Sequence, residues 1–335
     1  MDHQGLVLIK GCAGLGNRLL TLASGLGYAQ RVNRQVIVDW RDGKYGAVGQ
    51  DVFADFFQLP PPIIAISQLP KTMSSVYPGI WPTEWIDRPI YDLCKPCKNP
   101  LFAIPKTWLP RGRARMINTH WRFTGKTASK EALGIFAYLG SALQQKSFPY
   151  GSDLEENIRE EVVIFSDYLP TVETALLQNL PPLKNSIESA IQIRMEEFRK
   201  IAPTSQLVGI HVRYTDLKPA QGLDRLLHLV KARLSEDALI FLATDAPEVH
   251  KFLQENVSNP IVKQEIVFSE DYHRGLHRTE LVDGADRTRL MAEALTDMRL
   301  LSLCELLFYQ SNSSFSDIAR AWHGQPQKQE AWDVS

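Results

Sequence analysis

The sequence predicts an α/β protein of two Rossmann-like domains facing a cleft. Three observations lead there. Short apolar, strand-like runs alternate with helix-period segments, the pattern of βαβ units and parallel sheets. The alternation occurs twice, first from Leu6 and again from Leu207. At 335 residues the chain also exceeds what one hydrophobic core usually serves. The expected boundary separates residues 1–180 from 181–335.

The first half opens with a strand, Leu6 to Ile9, then a Gly-rich turn, Gly11 to Asn17. A helix follows from Arg18 to Arg31, with Leu19, Leu22, Leu26 and Ala29 on one face, and then a strand from Gln35 to Trp40. From Gly43 to Pro149 the text is irregular and rich in Pro, Trp and Gly, which suits loops bordering a cleft. An amphipathic connector helix is expected over Lys184–Lys200, with Ile187, Ile191 and Met195 on its apolar face. The second half reads as a strand from Leu207 to Arg213, a helix from Asp224 to Leu234 and a strand from Ala238 to Ala243. Next come a helix over Pro247–Asn256, a short strand over Glu265–Phe268 and a long helix from Asp286 to Leu303. Leu290, Ala294, Leu295, Met298 and Leu301 mark the inner side of that long helix. A last strand, Glu305 to Tyr309, meets the turn Gln310–Ser314, which caps a helix starting near Phe315.

Composition excludes several classes of function. Apolar residues make up 44% and charged residues 22%, the balance of an ordinary globular protein. A formal net charge of −1 supplies no global positive field to hold nucleic acid or an anionic membrane. The local stretch Arg111-Gly112-Arg113-Ala114-Arg115 reads as a solvated loop face, with an anionic acceptor or a membrane surface as the alternative. No apolar run reaches the length of about eighteen residues needed to span a bilayer. Met1 to Gln4 leads straight into the first strand without the marks of a signal peptide, so a cytoplasmic location is expected. Four cysteines are too few for a disulfide framework. Cys94 and Cys97 form a lone C-x-x-C, better read as a local disulfide or two ordinary thiols than as a metal site.

In open α/β sheets, ligands bind beyond the carboxyl ends of the strands. That rule selects Gly11 to Asn17, His211 to Asp216, Thr244-Asp245-Ala246, and Ser311 to Ser314. The glycine spacing at Gly11, Gly14 and Gly16 suits backbone amides approaching a pyrophosphate at a helix N-terminus. A dehydrogenase reading would make Asp39 the ribose-binding acid, but no hydride-transfer site follows. The sharper signal is His211-Val212-Arg213-Tyr214-Thr215-Asp216 at a strand end. An arginine there bonds a phosphate bidentately and keeps its charge at every working pH, as a departing nucleoside diphosphate requires. No Asp-x-Asp sequence of the kind that holds a divalent ion occurs, so no metal is expected. Plainer readings stand beside these: Arg213 paired with Asp216, His211 as a core histidine, Asp245 as a helix N-cap, Asp297 as a helix-surface carboxylate.

Gly14-Leu15-Gly16-Asn17, Leu22 to Ser24, Tyr28 to Arg31, Val38 to Arg41, His211 to Arg213, and Thr296-Asp297 through Ser313-Ser314 occur in an informative order. In that order they resemble the bacterial nodulation-factor fucosyltransferases and, more distantly, the α1,6-, α1,2- and protein O-fucosyltransferases. The resemblance covers roughly residues 5 to 45 and 205 to 322, and leaves the middle unmatched. It implies the GT-B architecture and an inverting, metal-independent transfer from GDP-fucose to a glycan or glycoconjugate, with no cofactor. Arg213 then matches the arginine on the donor phosphates, and His211 the histidine near guanine and ribose. Asp297 matches the guanine-contacting acid, and Asp245 another nucleotide-side acid. Asn312, Ser313 and Ser314 match the pyrophosphate-receiving turn, Gly14 and Gly16 belong to the donor-side glycine motif, and Asn17 faces the reaction centre.

The chain departs from the family twice. Tyr214 stands where several relatives have a second basic residue, so Arg213 acts alone or with Lys218. Gln221-Gly222-Leu223-Asp224 stands where some relatives have a glutamate, leaving Asp216 and Asp224 as candidate bases. Another nucleotide sugar, or binding without turnover, are the competing functions.

Overall fold

The computed structural model describes residues 5–11, 14–77, 86–87, 158–166, 172–203, 205–214, 222–263 and 286–334. It forms two compact units: Met1–Ala13 with Asn17–Pro182, and Gly14–Gly16 with Leu183–Ser335. In the first, β1 (Leu6–Lys10), α1 (Leu15–Val32) and β2 (Gln35–Asp39) make the expected βαβ unit. β1 and β2 pair in parallel. The helix starts at Leu15 rather than Arg18, because Leu15 is buried four residues before Leu19 and extends the same apolar stripe. Gly16 and Asn17 therefore lie in the first helical turn rather than in the preceding loop. A Cβ on Gly25 would come within 2.7 Å of Ile9 Cδ1, so glycine lets α1 rest directly on β1.

The sheet runs β2-β1-β4-β3, with β3 at Val76–Tyr77 and β4 at Val162–Phe165, every pair parallel. No sequence pattern marks β4, although all four of its residues are buried. A parallel strand covered on both faces shows no apolar–polar alternation, so Val162-Val163-Ile164-Phe165 carries no period to read. A short helix, α2 (Val52–Phe56), is capped by the Asp51 side chain and packs Phe53 against Trp40.

The second unit is a five-stranded parallel sheet in the order β7-β6-β5-β8-β9. Its strands are β5 (Leu207–Val212), β6 (Leu239–Thr244), β7 (Ile261–Lys263), β8 (Leu306–Tyr309) and β9 (Gln329–Ala331). The helices are α3 (Asn185–Ile201), α4 (Leu223–Arg233), α5 (Pro247–Asn256), α6 (Arg287–Leu303) and α7 (Ser314–His323). Counted within the unit, the strand order is 3-2-1-4-5, the doubly wound order whose direction reverses between β5 and β8. Val208, Ile210, Val230, Leu242, Phe308 and Trp332 anchor the core on one face.

Two expectations need correction. On α3 the third core residue is Phe198, which meets Phe241 with ring centroids 5.5 Å apart, whereas Met195 is only half-buried. On α6, Leu290 and Ala294 are half-buried, while Met291 and the whole of Leu295–Met298 are buried. That helix packs against α3, α7, β5 and β6, so its last turns are enclosed on several sides and lose a single inner stripe. The strand expected at Glu265–Phe268 lies outside the described residues, and β7 and β9 were not anticipated. Both are short, three-residue strands at the sheet's edges.

Candidate functional site

The reversal between β5 and β8 separates the connections leaving the two strands and opens a crevice at their carboxyl ends. Arg213 follows β5 directly, and Gln310 follows β8. The Gln310 side chain, fully buried, accepts the Arg213 N–H through Oε1 at 2.8 Å and donates through Nε2 to Asn312 Oδ1 at 3.0 Å. Asp245, one residue past β6 and buried, accepts the Tyr214 N–H at 2.7 Å. Asp245 thus braces the Arg213-Tyr214 backbone. It is not the N-cap of α5, a position taken by Ala246 without a side-chain bond.

His211, the penultimate residue of β5, is buried. Its Nδ1 lies 2.7 Å from Ser316 Oγ, and its ring stacks on Phe315 at 4.7 Å between centroids. Burial, reinforced by the Arg213 charge, lowers its pKa to about 3, so it is neutral at physiological pH. Each of its contacts described here is structural: the imidazole fixes the first turn of α7 against β5.

The turn between β8 and α7 presents the serines. Ser311 donates its N–H and Oγ to the buried Asp333 carboxylate at 2.8 and 3.0 Å. Ser313 is the N-cap residue of α7, yet its side chain makes no capping bond; its Oγ is buried without a hydrogen-bond partner. A capping serine ordinarily satisfies one helix amide; this hydroxyl instead stands at the α7 N-terminus, where the first helix amides have no intrahelical acceptor. Gly16 belongs to the same unit, and a Cβ there would come 2.6 Å from the Ser314 backbone. At Gly16 the missing side chain therefore serves close packing on the serine turn. Gly14, half-buried, stands two residues earlier.

Asp297 lies on α6 and is 5% exposed, which removes the surface-carboxylate reading. A carboxylate this deep requires compensating polar contacts. Asp224 is exposed in the first turn of α4. Asp216, Lys218, Gln221, Cys94, Cys97 and the Arg111–Arg115 stretch lie outside the described residues.

In the first unit, Asn17 sits half-buried in the first turn of α1, where its carbonyl accepts the Thr21 hydroxyl at 3.0 Å. The same unit holds a buried ionic network with no signature in the sequence. Lys10 binds Asp39 at 2.6 Å and the Ile86 carbonyl at 2.6 Å, and Arg41 adds a second cation to Asp39. Arg18, buried, grips Asp42 through both terminal nitrogens at 3.1 and 2.6 Å. A Cβ on Gly11 would collide with Arg18 Nη1, so this glycine makes room for an arginine, and its N–H is bonded to the Asp39 carbonyl. Such partners, 24 and 29 residues apart in sequence, leave no local signature.

Trp332 and Asp333 also have no signal in the sequence. The Trp332 indole N–H donates to the His211 carbonyl at 3.1 Å, and with Asp333 it ties the C-terminal segment to both strand ends. Among the described residues no helix is long and apolar enough to cross a membrane, and no cluster of His, Cys, Asp and Glu could hold a metal ion.

No protein-family model matches the chain, and no curated protein does. Solved structures do. A crystal structure of NodZ α-1,6-fucosyltransferase soaked with GDP-fucose matches with a TM-score of 0.56 at 19% identity, over 95% of this chain and 92% of that one. The structure of fucosyltransferase NodZ from Bradyrhizobium matches with a TM-score of 0.56 at 21% identity, over 95% and 92%. A point mutant of Arabidopsis thaliana FUT1 in complex with GDP matches with a TM-score of 0.52 at 14% identity, over 96% of this chain and 69% of that one. The chain thus has the two-domain, parallel-sheet α/β fold of the GT-B fucosyltransferases.

Proposed function

We propose that the chain is a glycosyltransferase that moves fucose from GDP-fucose to a glycan or glycoconjugate acceptor, inverting the anomeric centre without a metal ion. The observation that carries the reading is the β5/β8 reversal. It joins Arg213, the Asp245-braced backbone and the Ser313 turn at one sheet edge, the place where this fold takes ligands. The structural likeness to enzymes solved with GDP-fucose or GDP supports the choice of donor.

In this reading the diphosphate lies against the α7 N-terminus, where Ser313 Oγ and the first helix amides donate to its oxygens. Arg213 supplies the permanent positive charge that the departing GDP needs. Asp297 accepts from the N1 and N2 donors of guanine. The acceptor hydroxyl attacks C1 of fucose, the C1–O bond to the diphosphate breaks, and the hydroxyl proton passes to a carboxylate. Asp216 and Asp224 are the candidates for that last role, and Asn17 for a contact near the reaction centre. His211, neutral and stacked, holds the turn in place.

Calorimetric titration with GDP, UDP and GDP-fucose, followed by a donor-hydrolysis assay, tests the proposal. GDP should bind and UDP should not, and GDP should be released from GDP-fucose. Equal binding of UDP would point to a different nucleotide sugar, and GDP binding without release to a binding protein.

A further inference from the structure

We infer that Gln310 is a positioning residue for donor binding, setting the backbone of Arg213 against the serine turn. The inference rests on the donor reading above. The β5/β8 ladder ends at Ile210 and Phe308. Just past the ends of both strands, three residues after Ile210 and two after Phe308, the Gln310 side chain carries the link that the ladder no longer makes, through the Arg213 N–H at 2.8 Å. Its other end bonds Asn312, inside the turn that leads to Ser313. One rigid amide therefore spans the mouth of the crevice and relates its cation to its hydroxyl side.

A fully buried amide is an expensive way to fill space, since each of its polar atoms needs a partner and an apolar residue of equal volume would not. Its geometric consequence is specific. Bidentate binding of phosphate by arginine depends on where the planar fork begins, and a displacement of about 1 Å in a positioning group costs on the order of a hundredfold in rate. Fixing the Arg213 N–H fixes the origin of its side chain.

The test is a double-mutant cycle read by GDP calorimetry and by donor kinetics. Gln310→Met keeps the volume and removes both bonds; Gln310→Asn keeps an amide too short to reach both partners. Either one serves if the other folds poorly. Val249→Ala, a core truncation in α5, controls for general destabilisation. Gln310→Met should weaken GDP binding by about tenfold and lower kcat/KM for GDP-fucose, whereas Val249→Ala at a comparable loss of Tm should change neither. In an Arg213→Ala background the same Gln310 substitution should add less than about twofold, because it acts through Arg213. The inference is overturned if both Gln310 variants bind GDP as the wild type does, or if their effect is undiminished without the Arg213 side chain. If Arg213→Ala alone leaves GDP affinity unchanged, the donor reading fails and takes this inference with it.

Discussion

At the scale of single residues, three side chains have separable expected effects under the proposed reaction. Arg213→Ala should remove transfer while leaving the fold intact, since the leaving diphosphate loses its counter-charge, a barrier increase of about 3 kcal/mol or more. Arg213→Lys should recover little of it, because a point charge cannot reproduce the fork; steady-state kinetics with both variants checks this. Asp297→Asn replaces one acceptor by a donor at a site 5% exposed and should weaken GDP binding by about 1 to 3 kcal/mol while leaving UDP binding as weak as before. Unchanged GDP affinity in that variant would leave the guanine reader unassigned. His211 makes a prediction about pH. Its folded pKa, about 3, lies below its ordinary 6.5, so the unfolded chain binds the extra proton between those values. Stability from this group is therefore complete above pH 6.5 and falls as pH drops toward 3, by up to about 1.4 kcal/mol per pH unit. Replacing His211 with Asn should flatten that part of a denaturation profile measured across pH.

At the scale of elements, the C-terminal strand does more than close the sheet edge. β9 delivers Trp332 to the His211 carbonyl and Asp333 to the Ser311 turn. Trp332→Phe keeps most of the apolar volume but leaves the His211 carbonyl without its indole donor, and should cost about 1 to 3 kcal/mol in chemical denaturation. GDP affinity should fall with it, since the same segment holds the serine turn. The helices α5 and α6 were legible within a residue because their caps and apolar spacing are local features: Pro247 opens one and Asp286 caps the other, accepting from Arg289 N–H at 2.9 Å. β4 and β9 were not legible. One is apolar on both faces and the other is short, polar and defined by its neighbour. The start of α1 is hidden in the sequence because Gly14 and Gly16 look like loop, whereas burial of Leu15 sets the helix start there and takes Gly16 into its first turn.

At the scale of the whole molecule, the two βαβ openings were enough to predict two Rossmann-like units, since strand–turn–helix–strand text has few other solutions. The strand order was not readable, and it is the order that turns a set of strand-end residues into a site. Arg213 and Gln310 are 97 residues apart, yet adjacency of β5 and β8 puts them in hydrogen-bond contact. Arg213 stands out in the sequence at its strand end; the contacts of Gln310 with Arg213 and Asn312, of Trp332 with His211 and of Asp333 with Ser311 are long-range or side-chain specific and have no motif. The ion network of Lys10, Arg18, Asp39 and Asp42 is the same kind of omission in the first unit. In the proposed reaction as a whole, the leaving group of GDP-fucose is neutralised by arginine and a helix N-terminus rather than by a divalent ion. The most direct measurement is GDP release from GDP-fucose in excess EDTA, with a panel of glycan acceptors, for the wild type and Arg213→Ala. Acceptor-stimulated release should persist in chelator and be lost in the alanine variant. Release abolished by EDTA and restored by magnesium or manganese, or undiminished in Arg213→Ala, would contradict it.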